Sequence, residues 1–175
     1  MRFLTMSFLF LFLLLVASGC VSNNFKYSSR DTSQIPPSSI RTFQLLPGET
    51  SICTEDGKPV IRMFSTTMCP HCRWINETFN GVMEEYVKQG KIVAYHWDAD
   101  IGNNQFTPEK ESTVPESEIA WLQKANPEMS VPTYVFGCKY WRVGNPYENA
   151  NDLDAEAAEF KAVIEKLLLE VNSTN

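Results

Sequence analysis

Pro59-Val60-Ile61-Arg62-Met63-Phe64-Ser65-Thr66-Thr67-Met68-Cys69-Pro70-His71-Cys72 is the stretch that decides how this chain folds. Its first half is a short apolar run after the turn signal Gly57, which predicts a buried strand. Its second half sets two cysteines two residues apart where a new pattern begins. Trp74, Ile75, Phe79, Val82, Met83, Tyr86 and Val87 recur at three- and four-residue spacings, the period of a helix, and Gly90 marks its end. Pro70 suits the first helical turn, where an amide hydrogen would lack a partner in any case. A strand therefore runs straight into a Cys-x-x-Cys that opens a helix.

That placement has chemical consequences. Thiol–disulfide exchange needs two sulfurs that bridge in one state and part into thiolate and thiol in the other. A two-residue spacer at a helix start brings them within bonding range. It also leaves the first sulfur exposed at the positive end of the helix dipole, where a thiolate is favoured. Cys69 is then the nucleophile, and Cys72, inside the first turn, resolves the mixed disulfide. Pro70 and His71 tune the pair, since His71 can add positive charge or a hydrogen-bond donor to the Cys69 thiolate. Zinc sites share the Cys-x-x-Cys spacing, but they want a second cysteine pair or a spaced histidine pair. The two histidines, His71 and His96, make no such pattern. A c-type haem attachment would need histidine where Arg73 stands. No metal and no cofactor is expected beyond the redox-active Cys69–Cys72 disulfide itself.

Outward from this centre, residues 91–97 predict a second strand ending in Asp98-Ala99-Asp100, and residues 101–112 a polar loop. Thr113 with Glu116 has capping-box spacing, and Ile119, Ala120 and Leu122 carry a short helix stopped by Asn126-Pro127. Residues 131–136 and 139–143 predict two further strands joined at Gly137-Cys138. Phe160, Val163, Ile164, Leu167, Leu168 and Val171 line one face of a terminal helix. His96 and Trp97 read as core or sheet-face residues.

The resulting order, β-α-β-α-β-β-α, with Cys69-Pro70-His71-Cys72 between the first strand and helix and Val131-Pro132-Thr133 before the third strand, resembles the thioredoxin superfamily over residues 50–171. The resemblance implies an α/β fold, with a central mixed sheet of four to five strands flanked by helices. It further implies that Pro132 is cis and lies against the active-site disulfide. Val131, Pro132 and Thr133 then form the segment that docks an extended substrate strand. The tetrad and Val131 resemble DsbA-type oxidases in particular. Two features depart from the pattern. Met63 stands where the family carries a buried acid serving the second cysteine, and only about fifteen residues occupy the place of the DsbA-type helical insertion.

The chain has five cysteines, an odd number, so at least one lies outside any intramolecular set. In a thioredoxin-like sheet the first and third strands are antiparallel neighbours. The resemblance thus brings Cys53, before the first, near Cys138, after the third, at the end remote from the active site. A structural disulfide is expected there, with two free thiols or a second electron-relaying pair as the alternatives. Cys20 is the odd one. Met1-Arg2 and the apolar residues 3–16 form a run short for a membrane span and end in Ala17-Ser18-Gly19-Cys20, which resembles a lipoprotein signal peptide with lipidation on Cys20. An ordinary cleaved signal peptide and an uncleaved anchor are the alternatives, and all three put the domain outside the cytoplasm. The expected organisation is signal peptide 1–19, flexible Ser-, Asn- and Pro-rich tether 20–41, and thioredoxin-like domain 42–175.

The formal charge of −6 argues against nucleic acid as a partner, and the first nineteen residues contribute only one cation to it. Expected partners are exported cysteine-containing proteins and a membrane redox partner that resets the pair. Oxidase is favoured over reductase because of His71 and Val131. A copper- or zinc-handling protein and a non-enzymatic adhesin or chaperone on the same scaffold are the competing classes. Asn76-Glu77-Thr78 and Asn172-Ser173-Thr174 match the glycosylation sequon; chance is the preferred reading of both, the first because it falls in a predicted helix, while the second stands in an exposed tail.

Overall fold

The computed structural model describes residues 40–173; the expected signal peptide, Cys20 and nearly all of the expected tether lie outside the described residues. The elements are β1 (Gln44–Leu45), β2 (Thr54–Glu55), β3 (Lys58–Ser65), α1 (Pro70–Lys88), β4 (Val93–Asp98), β5 (Asn103–Asn104), α2 (Glu116–Ala125), β6 (Thr133–Phe136), β7 (Tyr140–Val143) and α3 (Leu153–Ser173), with a short 3-10 turn at Glu148–Ala150. The order expected from the sequence is present. Three two-residue strands, β1, β2 and β5, extend it, so the sheet is wider than the four to five strands expected.

Sheet order is β1-β7-β6-β3-β4-β5, with β2 hairpinned onto the start of β3. The long central strand β3 runs parallel to β4 and antiparallel to β6. Seven of its eight residues are buried, as a strand covered on both faces must be. Side chains alternate across it. Ile61 and Met63 enter the larger core with Ile75, Phe79 and Met83 of α1 and Phe160, Val163 and Leu167 of α3. Phe64 faces the other way, into a smaller core with Trp97, Val135 and Leu122 of α2. Each fully buried side chain of this kind contributes about 1.5–3 kcal/mol.

Arg62 shares the α2 face and is buried, so its charge needs a partner. It finds one in Glu118, with Nε and Nη2 donating to the two carboxylate oxygens at 2.7 and 2.9 Å. Its remaining terminal nitrogen, Nη1, lies 3.4 and 3.5 Å from the sulfurs of Cys53 and Cys138. Those two cysteines are bonded to each other, with Cα atoms 5.5 Å apart. A second buried cation, Arg142 on β7, donates to Glu156 Oε2 at 2.6 Å and lies over the rings of Phe43, Tyr134 and Phe160.

The expected capping box does not form. Pro115 precedes α2 with ψ of 144°, and no side chain caps the helix. Proline bars its predecessor Val114 from the helical region, so the helix starts after Pro115 and Thr113 is left two residues too early. Among the described residues no helix is long and apolar enough to cross a membrane.

Candidate active site

Cys69 is the N-cap of α1, with extended φ and ψ of −72° and 120°, and Pro70 takes the first helical position. The cap sulfur accepts the Cys72 backbone N–H at 3.3 Å, so the helix N-terminus is closed by the thiol itself. Both thiols are free; Cys69 is half-buried and Cys72 buried. Burial, reinforced by the hydrogen bond to Cys69, pushes the Cys72 thiol up to about 12. The two cysteines are therefore unequal: the first is accessible and the second is held as a protonated thiol.

Across from Cys69 stands the turn before β6. The Val131–Pro132 peptide bond is cis, and the Val131 carbonyl oxygen lies 3.8 Å from Cys69 Sγ. The Pro132 carbonyl accepts Gly144 N–H at 2.8 Å, which fixes the turn to the end of β7. Val131 is half-buried. Thr133, expected to help dock substrate, is fully buried, and its hydroxyl serves the loop. Its hydroxyl donates to the Ser130 carbonyl at 2.6 Å and accepts from Asn126 Nδ2 at 3.0 Å.

His71 is exposed, and its ring is engaged away from the sulfur. Nδ1 lies 2.9 and 3.0 Å from the two carboxylate oxygens of Glu148. The segment that brings Glu148 here joins β7 to α3 and clamps the start of α1 at three points. Asn145 Nδ2 donates to the His71 carbonyl at 2.9 Å, Trp74 Nε1 donates to Asn151 Oδ1 at 2.9 Å, and Glu148 meets the imidazole. Tyr147 N–H in turn donates to the buried Glu156 at 3.1 Å, which ties the clamp to the Arg142 cluster. No sequence pattern announced this clamp.

Met63 is fully buried among apolar side chains, so no acid lies beneath Cys72 on β3. One lies on the neighbouring strand. A cleft of about 260 Å³ beside α1 is lined by Ser65, Cys72, Glu77, Asp98 and Gln105. Asp98 ends β4 directly opposite Ser65 in the parallel register, and is buried. Among the described residues no three His, Cys, Asp or Glu side chains converge as a metal site.

A cysteine pair at the N-terminus of the helix that follows a central strand, facing a cis-proline turn, defines a thioredoxin-type site. A family model described as Thioredoxin matches residues 46–168. The chain belongs to the thioredoxin family, whose domains are built for thiol–disulfide redox chemistry. No curated protein and no solved structure matches it.

Proposed function

We propose that the chain is an extracytoplasmic thiol–disulfide oxidoreductase that exchanges its Cys69–Cys72 disulfide or dithiol with exported proteins, working as an oxidase in preference to a reductase. The observation that supports this above all is the inequality of the two thiols across the cis Val131–Pro132 turn: Cys69 open to a partner, Cys72 buried behind it. In the oxidising direction a substrate thiolate attacks Cys69 Sγ, the Cys69–Cys72 bond breaks, and Cys72 leaves with the electron pair and takes up a proton. A second substrate thiolate then attacks its mixed-disulfide sulfur and expels Cys69 as thiolate. Two electrons pass from substrate to protein, and no other cofactor is needed. The substrate backbone pairs beside Val131, and Met68, 76% exposed next to Cys69, offers it an apolar contact.

Residues 1–20 support the localisation: a lipoprotein-type signal and acylation of Cys20 would tether the domain through residues 21–41 to the outer face of a membrane. A membrane redox partner would reset the pair.

One contact favours the reductase reading. The Glu148 carboxylate offsets the positive charge that His71 would lend to a Cys69 thiolate, and so lowers the oxidising power of the tetrad. The reduction potential of the pair decides between the directions, measured by equilibration in glutathione buffers. A potential well above that of glutathione supports the oxidase, and one near that of thioredoxin the reductase. A pair that does not titrate overturns both, and metal content is then the next measurement.

A further inference from the structure

Resolution of a mixed disulfide on Cys69 requires the Cys72 thiol to lose its proton, and the site described so far names no group to receive it. Burial makes the requirement severe, since it holds that thiol up to about 12. Resting on the redox reading above, we propose that Asp98 is the proton acceptor for Cys72, reached across the cleft that both side chains line, and that a ring of side chains from β3, β4, α1 and the loop after β5 is built to hold the proton there.

The ring is closed. Asn80 Nδ2 donates to Gln105 Oε1 at 2.8 Å, and Gln105 Nε2 donates to the Asp98 carboxylate at 3.0 and 3.1 Å. These two bonds fix the amide orientations, so Asn80 Oδ1 can only accept. It lies 2.7 Å from His96 Nδ1, which must therefore carry a hydrogen. His96 is fully buried, and burial keeps it neutral down to about pH 4, so its Nε2 is an acceptor. The atom facing Nε2, at 3.0 Å, is Ser65 Oγ, whose single hydrogen has three acceptors in reach: His96 Nε2, Asp98 Oδ1 at 2.8 Å and the Trp97 carbonyl at 3.2 Å. Toward an ionised Asp98 the hydroxyl donates, at 2.8 Å to Oδ1; with its hydrogen turned to His96 Nε2 it can instead accept from a protonated Asp98. A proton received by Asp98 can therefore be held on the Ser65 oxygen. The two states differ by the turn of the Ser65 hydroxyl between Asp98 Oδ1 and His96 Nε2, and no heavy atom moves. A carboxyl whose surroundings accept both protonation states with the turn of one O–H suits proton transfer.

The balanced step follows. As Cys72 Sγ attacks Cys69 Sγ of the mixed disulfide, the Cys69–Cys72 bond forms, the bond to the outer sulfur breaks, and the outer thiolate departs. The Cys72 proton passes through the cleft to Asp98. Cleavage of the disulfide in the other direction returns it.

The test uses the full chain in detergent with Cys20→Ser, so that only Cys69 and Cys72 are free, and dithionitrobenzoate as the disulfide probe. Attack by Cys69 releases the first thionitrobenzoate, and attack by Cys72 on the mixed disulfide releases the second. Asp98→Asn keeps the ring, since its amide donates to Ser65 and its oxygen accepts from Gln105. It should slow the second release by about 100-fold or more and leave the first unchanged. Glu77→Gln, an exposed acid on the same cleft, should alter neither. Equal slowing of both steps in Asp98→Asn, a second step at the wild-type rate, or slowing confined to Glu77→Gln would each overturn the assignment. A wild-type chain that forms no mixed disulfide would instead overturn the redox reading on which it rests.

Discussion

Replacing Cys53 and Cys138 by alanine together removes the bond at the far end of β3. The bond spans 85 residues of sequence, and closing a loop of that length restricts the unfolded chain by about 4.5 kcal/mol at 25 °C. The folded state should lose little besides. Arg62 keeps both hydrogen bonds to Glu118, so no buried charge is stranded when the sulfurs go. The expected loss is thus about 4 kcal/mol, toward the upper end for natural disulfides. With a urea slope of about 2 kcal/mol/M, the midpoint should fall by about 2 M, followed by tryptophan fluorescence. A fall below about 0.5 M would refute the entropic account. Insulin reduction at 25 °C supplies a second reading on the same protein. If the bond only holds the fold, turnover is unchanged while the double variant remains folded. If turnover collapses in a folded variant, Cys53–Cys138 is an electron-relaying pair.

Three further outcomes are expected. Glu148→Gln frees His71 from the carboxylate and should make the Cys69–Cys72 pair more oxidising, by no more than about 20 mV because the imidazole is exposed to solvent; a shift toward a more reducing value in glutathione buffers contradicts this. His96 titrates near 4 folded against 6.5 free, so the unfolded chain binds the extra proton between those values and stability falls as pH drops through that window. The loss reaches roughly 3 kcal/mol at pH 4, and the urea midpoint of His96→Gln should be correspondingly less sensitive to pH from 6.5 to 4 than that of wild type. Gly102→Ala puts a Cβ 2.4 Å from the Thr113 backbone nitrogen at a φ of +68°, and should destabilise by at least about 2 kcal/mol in thermal unfolding.

Short apolar runs made β3, β4, β6 and β7 legible, and helical periods α1 and α3, because each buries its apolar side chains against the cores. β1, β2 and β5 were not, since two residues carry no period. Cys69, Cys72 and Val131-Pro132 stood out because chemistry constrains their spacing within one or two turns of chain. The groups that condition them did not. Glu148 meets His71 across 77 positions, and Asp98 reaches Ser65 across 33, through a strand register that only the fold supplies. The Thr133 hydroxyl holds the Ser130 carbonyl, a contact that likewise only the folded loop supplies.

The central strand is bracketed by sulfur, with Cys53 just before its start and Cys69 just beyond its end. Eight residues of extended chain, roughly 26 Å, lie between the two ends. In the unfolded chain that insulation vanishes. Cys53 then reaches Cys69, about sixteen residues away, across a loop far shorter than the one to Cys138, a preference of about 1.5 kcal/mol or roughly tenfold. Air oxidation of the unfolded protein should accordingly pair Cys53 with Cys69 ahead of Cys138. Mature pairing depends on β3 forming early enough to carry Cys69 out of reach, so this strand acts as a ruler that sorts one set of thiols for permanence and the other for traffic.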